Sequence, residues 1–455
     1  MKRGGCGAVV MAGLAVAVVP HAVDGAASSS DPRAIAITGG RVVTVSGPTL
    51  AKGTVVIAGG KIVAIGETVA VPRDATVIDA TGRTVYPGLI DAMTTIGITE
   101  IAGGAAGTVD VAEVGDMNPH AKAAVALNPH SDLIPVARAA GLTAALSAPR
   151  GGLVSGQSAL VRLAGHTPAA LTVKGPVALH VTYPTGRPPA DEARMAGAGA
   201  GADLEPKTFA ERQREKKKNQ DKELRRLAHL LEEAKAYGAA LDAARAGKMP
   251  PPRVDLPMEA MVPAARGRMP VVMAADDDDD IRGAIKFAVE RGLKLIISGG
   301  AEAWRCTDVL KKHDIPVLLT VDRLPRKESD PYDAQFTNPG ALQAAGVRFA
   351  IVSDQSTKAR NLPFEAAMAR AYGLPADAAL RAITLSPAEI LGVGDRMGSL
   401  AEGKDANIII ATGDIMDHRT DVTHVFIDGQ PQSMETRHTR LWKQFKDTDP
   451  GGRSP

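Results

Sequence analysis

Two residues whose side chains could transfer protons lie in or beside apolar runs. Asp354 follows the run in "FAIVSDQ", and His180 lies within "VALHV". A carboxylate at a strand end could act as a general base, accept a hydrogen bond from a ligand amine, or cap a loop. An imidazole could serve as an acid–base group or as a hydrogen-bonded structural histidine. We take Asp354 and His180 as the candidate catalytic residues, with the structural alternatives open.

A glycine-rich segment supplies a candidate ligand-binding loop. The stretch "RGGLVSGQSAL" at 150–160 follows a predicted strand. Exposed backbone amides in such a loop can hold an anion or a carboxylate, and Arg150 would add a charge-assisted hydrogen bond. A tight strand-to-strand connection explains the same glycines, so both interpretations stand.

Further candidates come from the repeated Asn-Pro-His. His120 and His130 close "MNPH" and "LNPH", and Asn-Pro commonly opens a turn. We interpret the second copy as the start of a helix over 132–140, and we keep His120 as a ligand-binding candidate together with Asn361 in "ARNLPF". The acidic run Asp276–Asp280 could recruit Ca²⁺, but it is more typical of a helix N-terminus.

Composition excludes some classes of function. The 455 residues carry a net charge of +2 and only 3% aromatic residues, which predicts no nucleic-acid binding. Residues 1–27 resemble a signal peptide, with a basic start, an apolar run too short for an ordinary span, and small residues at its end. Its removal leaves Cys306 as the only thiol. We expect a periplasmic or secreted protein with no stable membrane span after cleavage.

The chain alternates between two patterns. Residues 34–86 and 397–432 are short strand-like runs, and between them, over 87–396, apolar strands alternate with helices, which predicts parallel βα units and a (β/α)₈ barrel. A charged helical insertion, with leucines at helical spacing, interrupts the barrel at about 185–265. The terminal strands are expected to join into one small composite β-sandwich, and 433–455 forms a C-terminal tail.

Several stretches together resemble the amidohydrolase superfamily, and specifically its imidazolonepropionase-related branch. They are "ATGRTVYPGLIDA", "SDLIPVARAAGLTAAL", "GGLVSGQSALVRL", the long block from "ARNLPF" to "IIIATG", and "VTHVFIDGQ". The resemblance implies a barrel with zinc at the carboxyl ends of its strands. It implies His-x-His after the first strand, a carboxylate or modified lysine after the fourth, histidines after the fifth and sixth, and an Asp base after the eighth.

This sequence departs from that ligand set. By the resemblance, the histidine positions are occupied as follows: Met93 and Thr95 after the first strand, Ala274 after the fifth, and Gly299 after the sixth. Asp354 retains the eighth-strand acid, while Lys174 and His180 lie in the region of the fourth. A catalytic zinc needs about three protein ligands. We therefore expect no metal cofactor, although the family would use zinc.

Two functions follow from these observations. The first is a hydrolase of non-peptide carbon–nitrogen bonds, acting on a cyclic amide or dipeptide-like substrate through a degenerate metal site. The second is a catalytically inactive subunit that binds a small molecule, or that assembles with an active paralogous amidohydrolase. The residues favour the second slightly, whereas the resemblance favours the first.

Overall fold

The computed structural model describes residues 34–101, 106–186, 208–323, 325 and 327–446. The expected signal peptide, the Gly-rich start of the insertion and the end of the tail lie outside these ranges. Within them, no helix is both long and apolar enough to cross a bilayer.

The strands are β1 Ile35–Val42, β2 Leu50–Ala58, β3 Lys61–Gly66, β4 Thr76–Asp79, β5 Thr84–Pro87, β6 Leu89–Thr94, β7 Leu142–Ser147, β8 Val154–Gln157, β9 Ala159–Arg162, β10 Thr172–Lys174, β11 Leu179–Thr182, β12 Val271–Ala275, β13 Leu295–Gly299, β14 Val317–Leu319, β15 Phe349–Ile351, β16 Ile408–Ala411, β17 Val422–Ile427 and β18 Gln430–Pro431.

The α-helices are α1 Ala123–Ala126, α2 Leu133–Ala139, α3 Pro168–Leu171, α4 Phe209–Arg245, α5 Leu256–Ala265, α6 Asp278–Arg291, α7 Thr307–Lys312, α8 Ala334–Ala345, α9 Leu362–Ala371, α10 Ala376–Arg381, α11 Leu385–Ile390 and α12 Arg437–Phe445, and short 3₁₀ turns cover Ala106–Thr108, Ala303–Arg305 and Ala359–Asn361.

Strands from both ends of the chain form one eight-stranded sheet. Its order is β18-β17-β16-β5-β1-β2-β3, with β4 paired to β1. The join is antiparallel, since Ile409 of β16 pairs with Tyr86 of β5. The β-branched residues of these strands, including Ile37 and Ile408, share one buried cluster with Phe426. The described strands therefore make a single composite sheet, and the two-sheet sandwich expected from the sequence is not observed among them.

The central region contains two further sheets that share a core. Strands β11 to β15 are parallel neighbours in one sheet, and β6 and β7 are parallel in the other. Residues from both sheets, such as Ile90, Val272 and Leu318, belong to the same buried cluster. Parallel strands joined through helices are expected to bury both faces in this way.

The closed (β/α)₈ ring predicted from the sequence is not completed by strand pairing among the described residues. The amide of Ile90 in β6 donates to the carbonyl of Ile383, between α10 and α11, at 2.9 Å, and β6 does not pair along its length with β15. A backbone hydrogen bond from the Asp354 amide to the Met93 carbonyl (2.9 Å) links β6 to the segment that follows β15. The fold is mixed α/β.

The insertion is helical where the structure describes it. Helix α4 begins with a capping box in which Thr208 and Glu211 satisfy each other's backbone amides. Of the predicted leucine stripe, Leu227 and Leu231 are buried, and α4 packs along α5. Helix α8 accommodates Pro339 in its interior as a buried residue.

Candidate functional site

A cavity of about 310 Å³ lies at the carboxyl ends of the parallel strands. We call it the Asp354 cavity. It is lined by Met93, Pro149, Arg150, Gly151, Ser155, His180, Val181, Thr182, Val272, Ala274, Asp276, Ser298, Gly299, Arg323 and Asp354. In α/β proteins this end of the strands is where ligands usually bind. Its volume matches the smaller ligand pockets of proteins.

Two arginines hold the Asp354 carboxylate, and each donates a hydrogen bond to a different carboxylate oxygen. Arg150 Nη2 donates to Oδ1 at 2.7 Å and also to the Asp354 carbonyl, and Arg323 Nη2 donates to Oδ2 at 2.6 Å. The Asp354 side chain is 15% exposed. Both oxygens of the carboxylate are thus engaged by charge-assisted hydrogen bonds, which are the stronger kind.

The position of Asp354 depends on an unusual backbone conformation. Its φ of 62° lies in the left-handed region, which Asp tolerates better than most residues. Just before it, Ser353 donates from its amide to Oδ1 of the buried Asp91 at 3.2 Å, and its hydroxyl donates to Oδ2. The Met93 amide donates to the same Oδ1 at 3.3 Å. Asp91 therefore links β6 to the segment that follows β15.

Two buried carboxyl groups in this area are protonated more readily than usual. Burial raises the pKa of Asp91 to about 7, against the lowering effect of the Ser353 and Met93 hydrogen bonds. Burial also raises the pKa of Glu365 to about 9, and the negative charges of Asp322 and Asp91 add to the shift. Neither Glu365 oxygen has a hydrogen-bond partner in the described structure. A protonated Glu365 avoids burying an uncompensated charge.

His180 is a buried, neutral group. It is 4% exposed, and desolvation lowers its pKa to about 3, with the Arg150 charge contributing in the same direction. Its Nε2 is buried without a hydrogen-bond partner among the described atoms. The sequence placed His180 as a candidate acid–base residue, and the structure does bring it to the cavity wall. At neutral pH, however, it has no proton to donate as an imidazolium.

A second cavity of about 460 Å³ shares Arg323 and Asp354 with the first. Its other walls are Asp322, Pro325, Ser353, Gln355 and Lys358. Lys358 forms an ion pair with Asp322. Asp354 and Arg323 thus stand between two polar spaces, so that a ligand in either could contact them.

The positions that the resemblance assigns to histidines carry few donor atoms for a metal ion. Met93, Ala274 and Gly299 line the cavity, and among them only the Met93 thioether has a donor atom, a soft one. Thr95 is buried, and its hydroxyl accepts from the Ser356 amide at 3.3 Å. In the described part of the chain, no group of three or more His, Cys, Asp or Glu side chains is placed to hold a metal.

A side chain at position 299 would require its surroundings to move. Gly299 has a φ of 94°, and a Cβ there would lie 2.3 Å from Asp276 Oδ1. A histidine at this position would require both a strained backbone and a displaced carboxylate. Ala274, by contrast, is exposed in the cavity and leaves room for a longer side chain.

Other candidates from the sequence lie elsewhere. His120 and Asn361 are exposed and do not line the Asp354 cavity, so the structure does not bring them to the site. Lys174 Nζ donates to the Leu391 carbonyl at 2.9 Å, away from the cavity. The His130 amide is bound by Asn128 Oδ1 at 3.0 Å, just before α2, in keeping with the predicted turn. The acidic run begins α6, as expected for a helix N-terminus.

Arg323 lines the cavity but is not among the candidates indicated by the sequence. It follows β14 by a few residues, and a charged residue just past a buried strand was the available signal. Glu365 and Asp91 were missed as titrating groups because nothing in their local sequence reveals complete burial.

Comparison with known proteins supports one family. Residues 216–431 match the amidohydrolase family. An amidohydrolase from Thermotoga maritima is 27% identical, with a TM-score of 0.74, over 88% of this chain and 99% of that one. Residues 216–431 therefore match the amidohydrolase family, and most of the chain shares the fold of the Thermotoga maritima protein.

Two further proteins are similar to this chain. Amidohydrolase tasK of Hapsidospora irregularis is 36% identical over 104 residues, which are 22% of this chain and only 11% of that protein. A prolidase crystallised with N-methylphosphonate-L-proline is 16% identical, with a TM-score of 0.50, over 88% of this chain and all of that one. At that identity the likeness is one of fold alone.

Proposed function

We propose that this amidohydrolase-family chain binds a small polar molecule in the Asp354 cavity without the zinc chemistry of its superfamily. The observation that carries the proposal is the clamp of Asp354 between Arg150 and Arg323. A carboxylate that already accepts hydrogen bonds from two guanidinium groups is a poor ligand for a dication, because the two positive charges repel it.

The walls of the cavity support binding rather than metal-assisted hydrolysis. Of the positions that the superfamily resemblance assigns to histidines, Met93, Ala274 and Gly299 line the cavity, and a side chain at Gly299 would have to displace the Asp276 carboxylate. What remains is a polar pocket with guanidinium donors, the hydroxyls of Ser155, Thr182 and Ser298, and the neutral His180. Such groups fix and orient a ligand.

The test has two parts. Metal content of the natively purified protein is expected to be far below one zinc, iron or manganese per chain, and a tightly held stoichiometric metal would overturn the proposal. A metabolite screen by thermal shift is expected to find ligands that raise the melting temperature of the wild type. Arg150→Gln should abolish that shift, whereas Arg419→Gln, an exposed arginine far along the chain (80% exposed), should preserve it.

A second candidate is metal-independent hydrolysis of a carbon–nitrogen bond in a cyclic amide or dipeptide-like compound. It is favoured by the presence of Asp354 and His180 on the wall of one cavity. Here Asp354 would have to leave one arginine to accept a proton. Turnover of hydantoin-, dihydroorotate- or dipeptide-like compounds that disappears in Asp354→Asn would support it, and the absence of turnover would leave binding alone. The imidazolonepropionase-like branch, export to the periplasm and pairing with an active paralogue are further proposals from the sequence.

A further inference from the structure

Helix α12 exposes an apolar face on the surface of the protein. Leu441, Trp442 and Phe445 are 41%, 65% and 56% exposed. The spacing of these residues, at i, i+1 and i+4, places them on one side of a helix. Every residue of α12 is exposed, so the helix lies on the surface along its whole length.

The rest of the helix is basic. Between Thr436 and Lys446 the sequence "TRHTRLWKQFK" contains four Lys or Arg residues and no Asp or Glu. Lys446 Nζ lies 5.2 Å from the centre of the Trp442 ring, so a cation stands at the edge of the apolar face. An acid-free helix with cations beside Trp and Leu is the pattern of helices that lie in the interface of anionic bilayers.

Two of the four cations fasten the helix to the protein. Arg440 pairs with Asp132 at 3.2 Å, and Arg437 approaches the same carboxylate at 3.8 Å. A capping box between Thr436 and Thr439 closes the first turn. The helix is therefore attached to the body by its first turn, and no salt bridge within the described structure engages Lys443 or Lys446.

We infer that α12 docks the protein onto an anionic lipid surface, with Leu441 and Trp442 inserted between headgroups and Lys443 and Lys446 against the phosphates. Charge complementarity selects this occupant: an acid-free, cationic and aromatic face matches anionic headgroups over acyl chains, and neutral lipid would not use the cations. The site is independent of the Asp354 cavity.

The experiment is co-sedimentation of the mature full-length protein with vesicles of equal parts phosphatidylcholine and phosphatidylglycerol. Binding is expected to these vesicles at low salt, to weaken strongly at high salt, and to be absent with phosphatidylcholine alone. The affinity of the double variant Leu441→Ser/Trp442→Ser for these vesicles should be lower by at least about tenfold. Tyr332→Ser, which removes another exposed aromatic residue (77% exposed), should bind like the wild type.

A charge pair of variants locates the cationic contribution. Lys443→Glu/Lys446→Glu should lose binding, whereas Lys217→Glu/Lys218→Glu, on the basic part of α4, should retain it. The chain has two tryptophans, so a blue shift of fluorescence on adding anionic vesicles that is absent in Trp442→Phe would report insertion directly. Unchanged thermal unfolding of all these surface variants serves as the folding control.

Three results would overturn the inference: no binding to anionic vesicles, equal binding by the Leu441/Trp442 double variant, or loss of binding only in the α4 variant. Dimerisation that depends on protein concentration and disappears in Trp442→Ser would instead show that a second copy covers this face.

Discussion

Arg323 donates from Nη2 to Oδ2 of Asp354 over 2.6 Å, although the two residues follow different strands and stand 31 positions apart. Arg150 completes the clamp by donating to Oδ1 of Asp354. Together the two arginines hold in place the carboxylate that the family resemblance assigns to a catalytic base.

Asp354→Asn should destabilise the protein while keeping its shape. Asparagine tolerates the left-handed backbone at this position but carries no charge, so two charge-assisted bonds weaken. Because both arginines are about a third exposed, we expect a loss of about 1–2 kcal/mol in the free energy of unfolding, measured by urea denaturation. Asp354→Ala should lose more, since alanine also strains the backbone; equal stability of Asp354→Asn and wild type would contradict the clamp.

Glu365→Gln should stabilise the protein increasingly as the pH rises. The folded pKa of Glu365 is raised from 4.5 to about 9, so the buried carboxyl costs stability as the pH rises between these values. The slope is at most about 1.4 kcal/mol per pH unit. Glutamine does not ionise. The melting temperature of the variant should therefore rise relative to that of the wild type as the pH is increased from mildly acidic to alkaline values.

Asp91 acts in the same direction, but only up to its folded pKa of about 7, and it is intact in both proteins. Its own desolvation contributes equally to both proteins, so the difference between them reports Glu365 together with its repulsion by Asp91. A difference between Glu365→Gln and wild type that is constant with pH would show that Glu365 is ionised in the folded state.

As the pH falls below 6.5, the free energy of unfolding of His180→Gln should decrease less steeply than that of the wild type. The folded pKa of His180 is lowered from 6.5 to about 3, so its neutral form favours folding above the upper value, and that contribution is lost as the pH falls toward the lower. The slope is again at most about 1.4 kcal/mol per pH unit. Urea midpoints across this range measure it. The control His313→Gln, at an exposed position, should show the same slope as the wild type. An unchanged slope in His180→Gln would refute the lowered pKa of His180.

Gly299→Ala should destabilise more than Gly82→Ala. Both glycines have positive φ, 94° and 74°, but only at Gly299 would a Cβ collide, with Asp276 Oδ1; at Gly82 nothing lies within 4 Å. Backbone strain alone costs about 1–2 kcal/mol, and the collision should add to it. Ala274→His should be tolerated, because Ala274 faces the cavity. Thermal unfolding of the three variants compares them, and equal losses at the two glycines would show that the Asp276 side chain moves aside freely.

Leu231→Ala should cost about 2–4 kcal/mol, because Leu231 is 2% exposed where α4 packs on the body. Leu230→Ala, on the neighbouring and partly exposed position, should cost less. Similar small losses for both would mean that the insertion helix contributes little to stability, as chemical denaturation would reveal.

The sequence by itself determined the order and kind of the elements. The apolar run at Leu142–Ser147 is enough to indicate β7, which has these bounds, and Gly292 ends α6 through a left-handed cap. It also determined that Asp354, His180 and Arg150 are candidate site residues, since each lies at or near the end of an apolar run.

Only the tertiary structure decided what those residues do. Hydrogen bonds between segments far apart in the chain, such as Ile90 to Ile383 and Arg323 to Asp354, leave no periodic trace in the sequence, and they decide that the strand ring is not closed by pairing and that the carboxylate is clamped. Burial acts likewise. The altered pKa values of His180, Asp91 and Glu365 arise from desolvation by neighbours that only the folded chain brings together.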